Sequence, residues 1–371
     1  MSFLKNCLVM NRKYLKITNK DGKVWLMPKR HMKTGLELYQ PSSKKGLLLK
    51  RWLPWLYWLK PLIGKLGMSD IEYVMDPQIH HIIEKEFNQD AVEYSVFEGT
   101  PCVHQKTTIQ IFKGENILGY CKVTKNPELY GIFQHEQKFL GWLKEQGVDQ
   151  IPECPYCGQT EDGCFVFLQT TTKTLNSLVE HELGIKQLEF LSMLKVKTGM
   201  EMLYHESDQY QTICALKAHK ELLKDTQRDR MNQATEIIAS YYGTKKHLFC
   251  AYHADFTPWN MFEDAGMLFV FDFEYGRYSY MPYLDMFHFL TQTAIFEREL
   301  SSEQIYEEML GRETEMKEFF DNPWMAYLIY LVDVIARFVV RDGHSRTSDV
   351  DKLINTWFEL MELVMKRLKV E

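Results

Sequence analysis

The residues of this chain whose types and spacing could do chemistry lie between positions 253 and 274. His253, Asp255 and Asn260 belong to one polar stretch, and Asp272 and Glu274 follow a short apolar run. Carboxylate and amide oxygens are hard ligands, which suit magnesium bound to a polyphosphate. A carboxylate that stays off the metal can accept the proton of an attacking hydroxyl. The stretch therefore predicts magnesium binding together with proton abstraction.

Two short apolar runs are the elements that must position these side chains. Residues 269–271 predict a buried strand that delivers Asp272 at its end. Residues 261–262 predict the strand before it, and the Asp-Ala-Gly run at 264–266 is turn chemistry. The sequence therefore predicts a hairpin directly before the acidic pair.

These motifs resemble the aminoglycoside phosphotransferase and choline kinase-like family, which is related to the protein kinases. The catalytic loop of that family, H-x-D-x-x-x-x-N, matches His253, Asp255 and Asn260. Its metal-binding D-x-[DE] motif matches Asp272 and Glu274. The resemblance implies that Asp255 is the catalytic base and that Asn260 and Asp272 bind Mg²⁺.

The same resemblance extends to supporting residues. The family commonly carries an Asp in a P-x-x-D-like stretch, and the sequence from Pro282 to Asp285 fits this pattern. His253 and Asp285 are then expected to brace the catalytic loop. Glu274 is expected either to bind the metal or to contact substrate or solvent. His205 and His288 lie in apolar helical patterns and are interpreted as core histidines.

The N-terminal half carries the other residues that a kinase fold needs. Three β-rich runs, at 91–97, 103–112 and 117–124, are separated by turn residues and predict a three-stranded meander. A kinase fold uses a lysine on its third strand to hold the α- and β-phosphates, and pairs it with a glutamate on the following helix. Lys122 and Glu136 occupy these positions in the sequence.

A short apolar run at 165–169 falls where the family places the hinge whose backbone holds adenine. The resemblance therefore implies nucleotide contacts at Phe167 and Gln169 and covers roughly residues 90–300. It departs from the kinase pattern in the loop at 98–101, which lacks G-x-G-x-x-G. Residues 1–88 have no counterpart in the family pattern.

The order of elements predicts an α+β protein with a two-lobed, protein kinase-like fold. We expect a basic N-terminal extension at residues 1–88, a small β-rich N-lobe at 89–169 and a large, mostly helical C-lobe at 170–371. Residues 1–68 have a net charge of +13, whereas the rest of the chain has −19.

The tract at 44–68 contains six basic residues, three tryptophans and no acids. Two interpretations are open: an amphipathic helix that docks on the lobes, or an interfacial segment on an anionic membrane.

Nucleic acid is not expected as a partner, because the part of the chain that carries the catalytic motifs is acidic. No membrane-spanning run or secretory signal is predicted, and eight scattered cysteines favour reduced thiols in the cytoplasm, including Cys154 and Cys157. The interfacial interpretation of the tract implies peripheral contact at the inner face of the membrane.

These features predict an ATP- and Mg²⁺-dependent phosphotransferase that acts on a hydroxyl of a small molecule, such as a sugar, a glycan precursor or an amino alcohol. A cationic acceptor is an open alternative, since an acidic lobe attracts cations. The competing interpretation is a non-catalytic, kinase-like nucleotide-binding or scaffold protein. Retention of Asp255, Asn260 and Asp272 argues against it.

Overall fold

The computed structural model describes residues 12–19, 22–39, 44–56, 67–99 and 105–369. The chain divides into two compact units. The first unit comprises Met1–Trp142, Asp149–Val179 and Phe262–Glu274. The second unit comprises Leu143–Val148, Glu180–Met261 and Tyr275–Glu371.

The strands of the described residues are short, and the last of them ends at residue 280. They are β1 (Arg12–Thr18), β2 (Val24–Pro28), β3 (Gly67–Tyr73), β4 (Glu93–Glu98), β5 (Thr107–Lys113), β6 (Asn116–Thr124), β7 (Tyr156–Gln159), β8 (Phe165–Thr170), β9 (Met200–Leu203), β10 (Lys246–Tyr252), β11 (Met261–Asp264), β12 (Met267–Val270) and β13 (Arg277–Tyr280).

The α-helices of the described residues become long in the second half of the chain. They are α1 (Met32–Gly35), α2 (Lys44–Leu56), α3 (Pro77–Phe87), α4 (Tyr130–Glu145), α5 (Ile185–Thr198), α6 (Asp208–Ala218), α7 (Asp225–Tyr242), α8 (Leu284–Phe296), α9 (Ser302–Gly311), α10 (Glu313–Met316), α11 (Pro323–Asp342) and α12 (Ser348–Leu368).

The first unit contains an eight-stranded antiparallel sheet in the order β3-β1-β2-β4-β5-β6-β8-β7. The predicted meander is confirmed as β4, β5 and β6, which pair in sequence order. Strands β1 to β3 extend the same sheet, because β2 pairs with β4. The sheet therefore includes strands from both sides of residue 88, where we expected the N-terminal extension to end and the N-lobe to begin.

Two apolar clusters pack within the first unit. One joins Ile79 and Ile83 of α3 to sheet residues such as Ile111. The other joins Leu53 of α2 to Trp25 and its neighbours. The predicted helical tract at 44–68 is only partly correct, since α2 covers residues 44–56 and β3 begins at residue 67. Residues 57–66 lie outside the described residues.

The second unit combines a small sheet, in the order β13-β10-β9, with helices α5 to α12. Strand β10 leads directly into the loop that carries Asp255. The stretch Pro323–Ser345, mostly helix α11, is long and apolar enough to cross a membrane, yet 89% of its most apolar window is buried inside the protein. This burial indicates a core helix.

The predicted α+β fold class is confirmed: the first unit is β-rich and the second is mostly helical. The kinase-like order is present as well, because α4 follows the third strand of the meander and precedes the hairpin of β7 and β8. The C-lobe that was expected to be mostly helical also contains the short strand β9, which pairs with β10.

Candidate active site

A buried ion pair joins β6 to α4 in the first unit. The ammonium of Lys122 lies 2.9 and 2.7 Å from the two carboxylate oxygens of Glu136. Glu136 is one helical turn from Phe133 and Leu140, which are both buried, so all three side chains lie on the face of α4 that packs into the unit. The structure thus brings together the two residues expected to form this pair.

The same ammonium reaches the acidic stretch after the hairpin of β11 and β12. Lys122 Nζ is 2.6 Å from Asp272 Oδ1. Asp272 has a φ of 68°, a left-handed conformation that strains a non-glycine residue. The ring of Phe273 packs against Phe139 of α4, with centroids 5.9 Å apart, and helps to hold this backbone in place. Such strain is found preferentially at functional sites.

A second lysine, Lys106, completes this cluster of charges. It directly precedes β5; its ammonium contacts the carboxylate of Glu274 and lies 4.0 Å from Asp272 Oδ1. Lys106 is not among the residues predicted from the sequence. Its position in the sequence belongs to no motif, so it could not be distinguished from an ordinary solvent-exposed lysine at the end of a strand.

Burial and opposite charge act against each other in the cluster. Burial is the largest influence on Glu136 and raises its pKa, while Lys122 acts to lower it. Burial alone would lower the pKa of Lys122, but Asp272 and Glu136 outweigh this effect and the pKa is raised. Lys122 therefore carries a positive charge at neutral pH despite its burial.

The carboxylates of Glu136, Asp272 and Glu274 form a set of donors that fits a magnesium ion. One oxygen of each lies within 4.8 Å of the others. Oxygen donors are what Mg²⁺ prefers, usually one or two carboxylates together with water and phosphate oxygens. Lys106 and Lys122 contact the same carboxylates, so a metal ion would share or displace these contacts.

Asp255 is held through both carboxylate oxygens by residues of the second unit. Asn260 Nδ2 donates to Asp255 Oδ2 at 2.7 Å and to its backbone carbonyl at 2.9 Å. His288 Nε2 is 3.0 Å from Asp255 Oδ1. The Asp255 side chain is nevertheless 34% exposed. This arrangement gives a carboxylate of fixed orientation that an external hydroxyl can reach.

Asp285 braces the loop from α8. Its carboxylate accepts hydrogen bonds from the backbone N–H of His253 at 2.8 Å and of Ala254 at 3.0 Å. His253 Nδ1 in turn accepts from the backbone N–H of Asp255 at 3.2 Å. Burial raises the pKa of Asp285 to about 7, against the two N–H groups, which act to lower it. His253 and Asp285 thus lie where bracing of the loop requires them.

Of the two histidines interpreted as core residues, His288 is confirmed as buried and His205 is not. His205 is exposed. His288 is buried, but its ring joins Asp255 to Tyr330, whose hydroxyl is 3.3 Å from Nδ1. Burial lowers the pKa of His288, and Asp255 acts to raise it. A neutral ring then donates from Nε2 to Asp255. The sequence signal was available, since His288 is three residues after Asp285 on the same helical face.

The expected nucleotide contact at Phe167 also needs correction. Phe167 is buried and its strand β8 pairs with β6 on one side and β7 on the other, so its backbone lies inside the sheet and is not available to adenine. Its ring instead lies 5.3 Å from Lys122 Nζ, a cation–π contact that supports the lysine. Gln169, two residues on, is buried, and its Oε1 has no hydrogen-bond partner in the described part of the chain.

Eight of the predicted residues therefore fall into two clusters. The cluster of the first unit contains Lys122, Glu136, Asp272 and Glu274. The cluster of the second unit contains His253, Asp255, Asn260 and Asp285.

No sequence model of a protein family and no curated protein sequence matches the chain. The chain is similar to the solved structure of ADP-bound aminoglycoside phosphotransferase APH(2'')-Ib, with 16% identity, a TM-score of 0.46 and coverage of 77% of this chain and 99% of that one. A ternary complex of APH(4)-Ia with ADP and hygromycin B matches with 10% identity, a TM-score of 0.49 and coverage of 76% and 98%. LicA in complex with AMP matches with 14% identity, a TM-score of 0.44 and coverage of 76% and 98%. The solved structures that the chain is similar to thus include two aminoglycoside phosphotransferases.

Proposed function

We propose that the protein transfers a phosphoryl group from ATP to a hydroxyl group of a small molecule, with Asp255 as the catalytic base. The observation that carries this proposal is the way Asp255 is held. Asn260 and His288 bind one carboxylate oxygen each, while about a third of the side chain stays exposed. Proton abstraction needs a carboxylate that is fixed in direction and accessible to the acceptor.

The cluster of the first unit supports the nucleotide part of the proposal. Lys122, kept charged by Glu136 and Asp272, is suited to bind the α- and β-phosphates, as the strand lysine of a kinase does. Asp272 and Glu274 offer carboxylates to Mg²⁺, and the sequence motif assigns Asn260 to the metal as well. When bound, Mg²⁺ neutralises charge on the phosphate oxygens.

The proposed reaction is a displacement at the γ-phosphorus. The acceptor oxygen forms a bond to that phosphorus as the bond to the β–γ bridging oxygen breaks, which releases ADP. The hydroxyl proton passes to Asp255. The N–H of His288 and the amide of Asn260 keep the carboxylate turned toward the acceptor while this happens.

The substitution Asp255→Asn tests the proposal. The side chain keeps its size and loses its basicity, so turnover should fall at least about a hundredfold, the usual scale of general-base catalysis. ATP affinity, measured by calorimetry, should be unchanged. Turnover is followed as ADP release with panels of sugars, amino alcohols and glycan precursors. Asp229→Asn, at an exposed position of α7, is the matched control and should match the wild type in both assays.

Two results would contradict the proposal. Phosphoryl transfer by Asp255→Asn at the wild-type rate excludes Asp255 as the base. Binding of ATP by the wild type without ADP release for any acceptor favours the alternative of a non-catalytic nucleotide-binding protein.

We further propose that helix α2 contacts an anionic membrane surface from the cytoplasm. Leu53 packs inside the first unit, which supports the docked interpretation of this segment. Leu48, Trp52 and Trp55 recur at intervals of four and three residues on another face, and are 58%, 51% and 74% exposed. Exposed tryptophans beside Arg51 suit the headgroup region of anionic lipid. The described cysteines are free thiols, which fits a reducing compartment.

A further inference from the structure

A cavity of about 220 Å³ in the second unit is lined by three arginines and no acidic residue. The arginines are Arg277 of β13 and Arg337 and Arg341 of α11. The other lining residues are Thr212, Ala215, Tyr275, Ala336, Phe338 and Val340. The wall is thus apolar and aromatic apart from the guanidinium groups, a hydroxyl and a phenol. Such a lining, with a few polar groups of one kind, is typical of a ligand site.

The two arginines of α11 are four residues apart and lie on the same face of the helix. Arg337 Nε donates to Asp333 at 2.9 Å. Arg341 donates to both carboxylate oxygens of Asp342, at 2.6 and 2.8 Å, and its guanidinium lies 4.1 Å from the centre of the Phe338 ring. These contacts hold both guanidinium groups in place before any ligand binds.

The three arginines of the cavity wall differ in their ion pairs. Asp333 balances Arg337, and Asp342 balances Arg341. Arg277 donates to the carbonyl of Gly276 at 3.1 Å, and no ion pair with a carboxylate is found for it in the described ranges. Arg277 is therefore the arginine of the cavity wall that has no direct ion pair in the described residues, although the Asp208 carboxylate is close by and accepts from the backbone N–H of Tyr278.

One donor of the cavity wall is also unsatisfied. Arg337 is 9% exposed, and its Nη2 has no hydrogen-bond partner among the described residues. A buried donor without a partner is unfavourable, so a shift of the Arg337 guanidinium that let Nη2 reach an oxyanion in the cavity would remove that penalty. Guanidinium groups match the paired oxygens of phosphate and carboxylate.

Arg277 of the cavity wall belongs to β13, the strand that pairs with β10, and β10 leads to the proposed base. Arg277 is the register partner of Tyr252 on β10. The guanidinium of Arg337 lies 5.8 Å from the centre of the Tyr252 ring. Asp255 follows three residues after Tyr252. The cavity and the base thus belong to adjoining parts of one unit.

We propose that this cavity binds an anionic group of the hydroxyl acceptor, so that the substrate is a small molecule with a phosphate or carboxylate, such as a sugar phosphate or a sugar acid. The role as acceptor site rests on the proposed function, whereas the anion binding itself does not. The proposal replaces the cationic acceptor that an acidic lobe had suggested. A volume of about 220 Å³ holds the charged group and part of a sugar ring.

The test compares three probes of one ring type: glucose 6-phosphate, neutral glucose and cationic glucosamine. Binding to the full chain is measured by calorimetry without nucleotide or Mg²⁺. We expect glucose 6-phosphate to bind in preference to the other two. Arg277→Gln should weaken this binding about tenfold or more, because it removes a charged donor. Arg277→Lys keeps the positive charge but loses the paired N–H donors of the guanidinium. Its affinity for glucose 6-phosphate should lie between those of the wild type and Arg277→Gln. Arg298→Gln removes an exposed arginine paired with Glu308 and is the matched control.

Several outcomes overturn the proposal. They are equal binding of glucose and glucose 6-phosphate, preference for glucosamine, wild-type binding by Arg277→Gln, and no binding of glucose 6-phosphate, glucuronate or inorganic phosphate. Loss of binding in Lys122→Met with no change in Arg277→Gln would place the probe at the first cluster and also overturns it. The variant Asp255→Asn separates the two proposals. Full turnover in Asp255→Asn would refute the role of Asp255 as the base. Loss of glucose 6-phosphate binding in Arg277→Gln would still support the anion site.

Discussion

Replacing Lys122 with methionine tests the charge balance of the first cluster. The substitution keeps the chain length and removes the ammonium from Glu136, which is fully buried, and from Asp272. Breaking a buried ion pair at one partner costs about 3–5 kcal/mol, because the remaining charge has no compensation. Protonation of Glu136 and the nearby ammonium of Lys106 reduce this loss of stability. We therefore expect a loss of about 3 kcal/mol in the free energy of unfolding.

The loss should depend on pH with a definite sign. Burial raises the pKa of Glu136 above its ordinary value of 4.5, and Lys122 acts to lower it. Without Lys122 the pKa rises further. A carboxyl group whose pKa is higher in the folded state loses its favourable contribution as the pH rises from the unfolded pKa through the folded one. The difference between variant and wild type should therefore widen above the wild-type folded pKa of about 7, by at most about 1.4 kcal/mol per pH unit.

Urea unfolding at pH 6 and pH 8.5 measures both effects. The double variant Lys122→Met with Glu136→Met should be more stable than Lys122→Met alone, since an apolar pair can replace a buried ion pair at little cost. Lys113→Met, at the other end of β5, removes an exposed partner of Asp90 and should leave stability unchanged. A loss below about 1 kcal/mol at both pH values, or a double variant less stable than Lys122→Met, would refute the reasoning.

Three other side chains test the two clusters and helix α2. His288→Phe removes a hydrogen bond to the Asp255 carboxylate, so turnover should fall about tenfold or more with unchanged nucleotide affinity; an unchanged turnover would remove His288 from the site. Lys106→Gln removes an ammonium that competes for carboxylate oxygens, so Mn²⁺, followed by electron paramagnetic resonance, should bind more tightly than to the wild type, and weaker binding would contradict the competition. Trp55→Ser should reduce cosedimentation with phosphatidylserine vesicles at low salt, whereas Phe296→Ser, at another exposed aromatic, should not; equal binding to neutral vesicles would refute the electrostatic interpretation.

Local patterns were enough to predict the elements that carry both clusters. Strands β4 to β6 pair with their neighbours in sequence, and turn residues separate them. The hairpin of β11 and β12 has its turn at Ala265 and Gly266, both with positive φ, as the Asp-Ala-Gly sequence indicates. Lys122 and Glu136 then meet because the helix that follows the meander packs on the sheet.

Contacts between distant parts of the chain were the ones missed. Lys106 and Glu274 are 168 residues apart, and no periodicity shows which segment will lie beside a strand end. Strand β9 has a different cause. Its sequence of Met, Glu, Met and Leu favours a helix, and the strand forms because β10 offers an edge for pairing. The sequence does contain a glycine, Gly199, at the end of α5 and just before β9. The structure requires glycine there, because a Cβ atom would lie 2.5 Å from the carbonyl oxygen of Lys195.

The net charge of the chain and the arginine-lined cavity indicate opposite charges for the acceptor. The chain beyond residue 68 has a charge of −19, which suggested a cationic substrate. Charges on an exposed surface are screened within about 8 Å at physiological ionic strength. Arg277 lines a cavity, so it acts on a ligand at contact distance, where screening is weak. An anionic acceptor would therefore associate more slowly because of the acidic surface and still be retained by the arginines. Raising the salt concentration should then speed its association, the reverse of what an attracting surface produces.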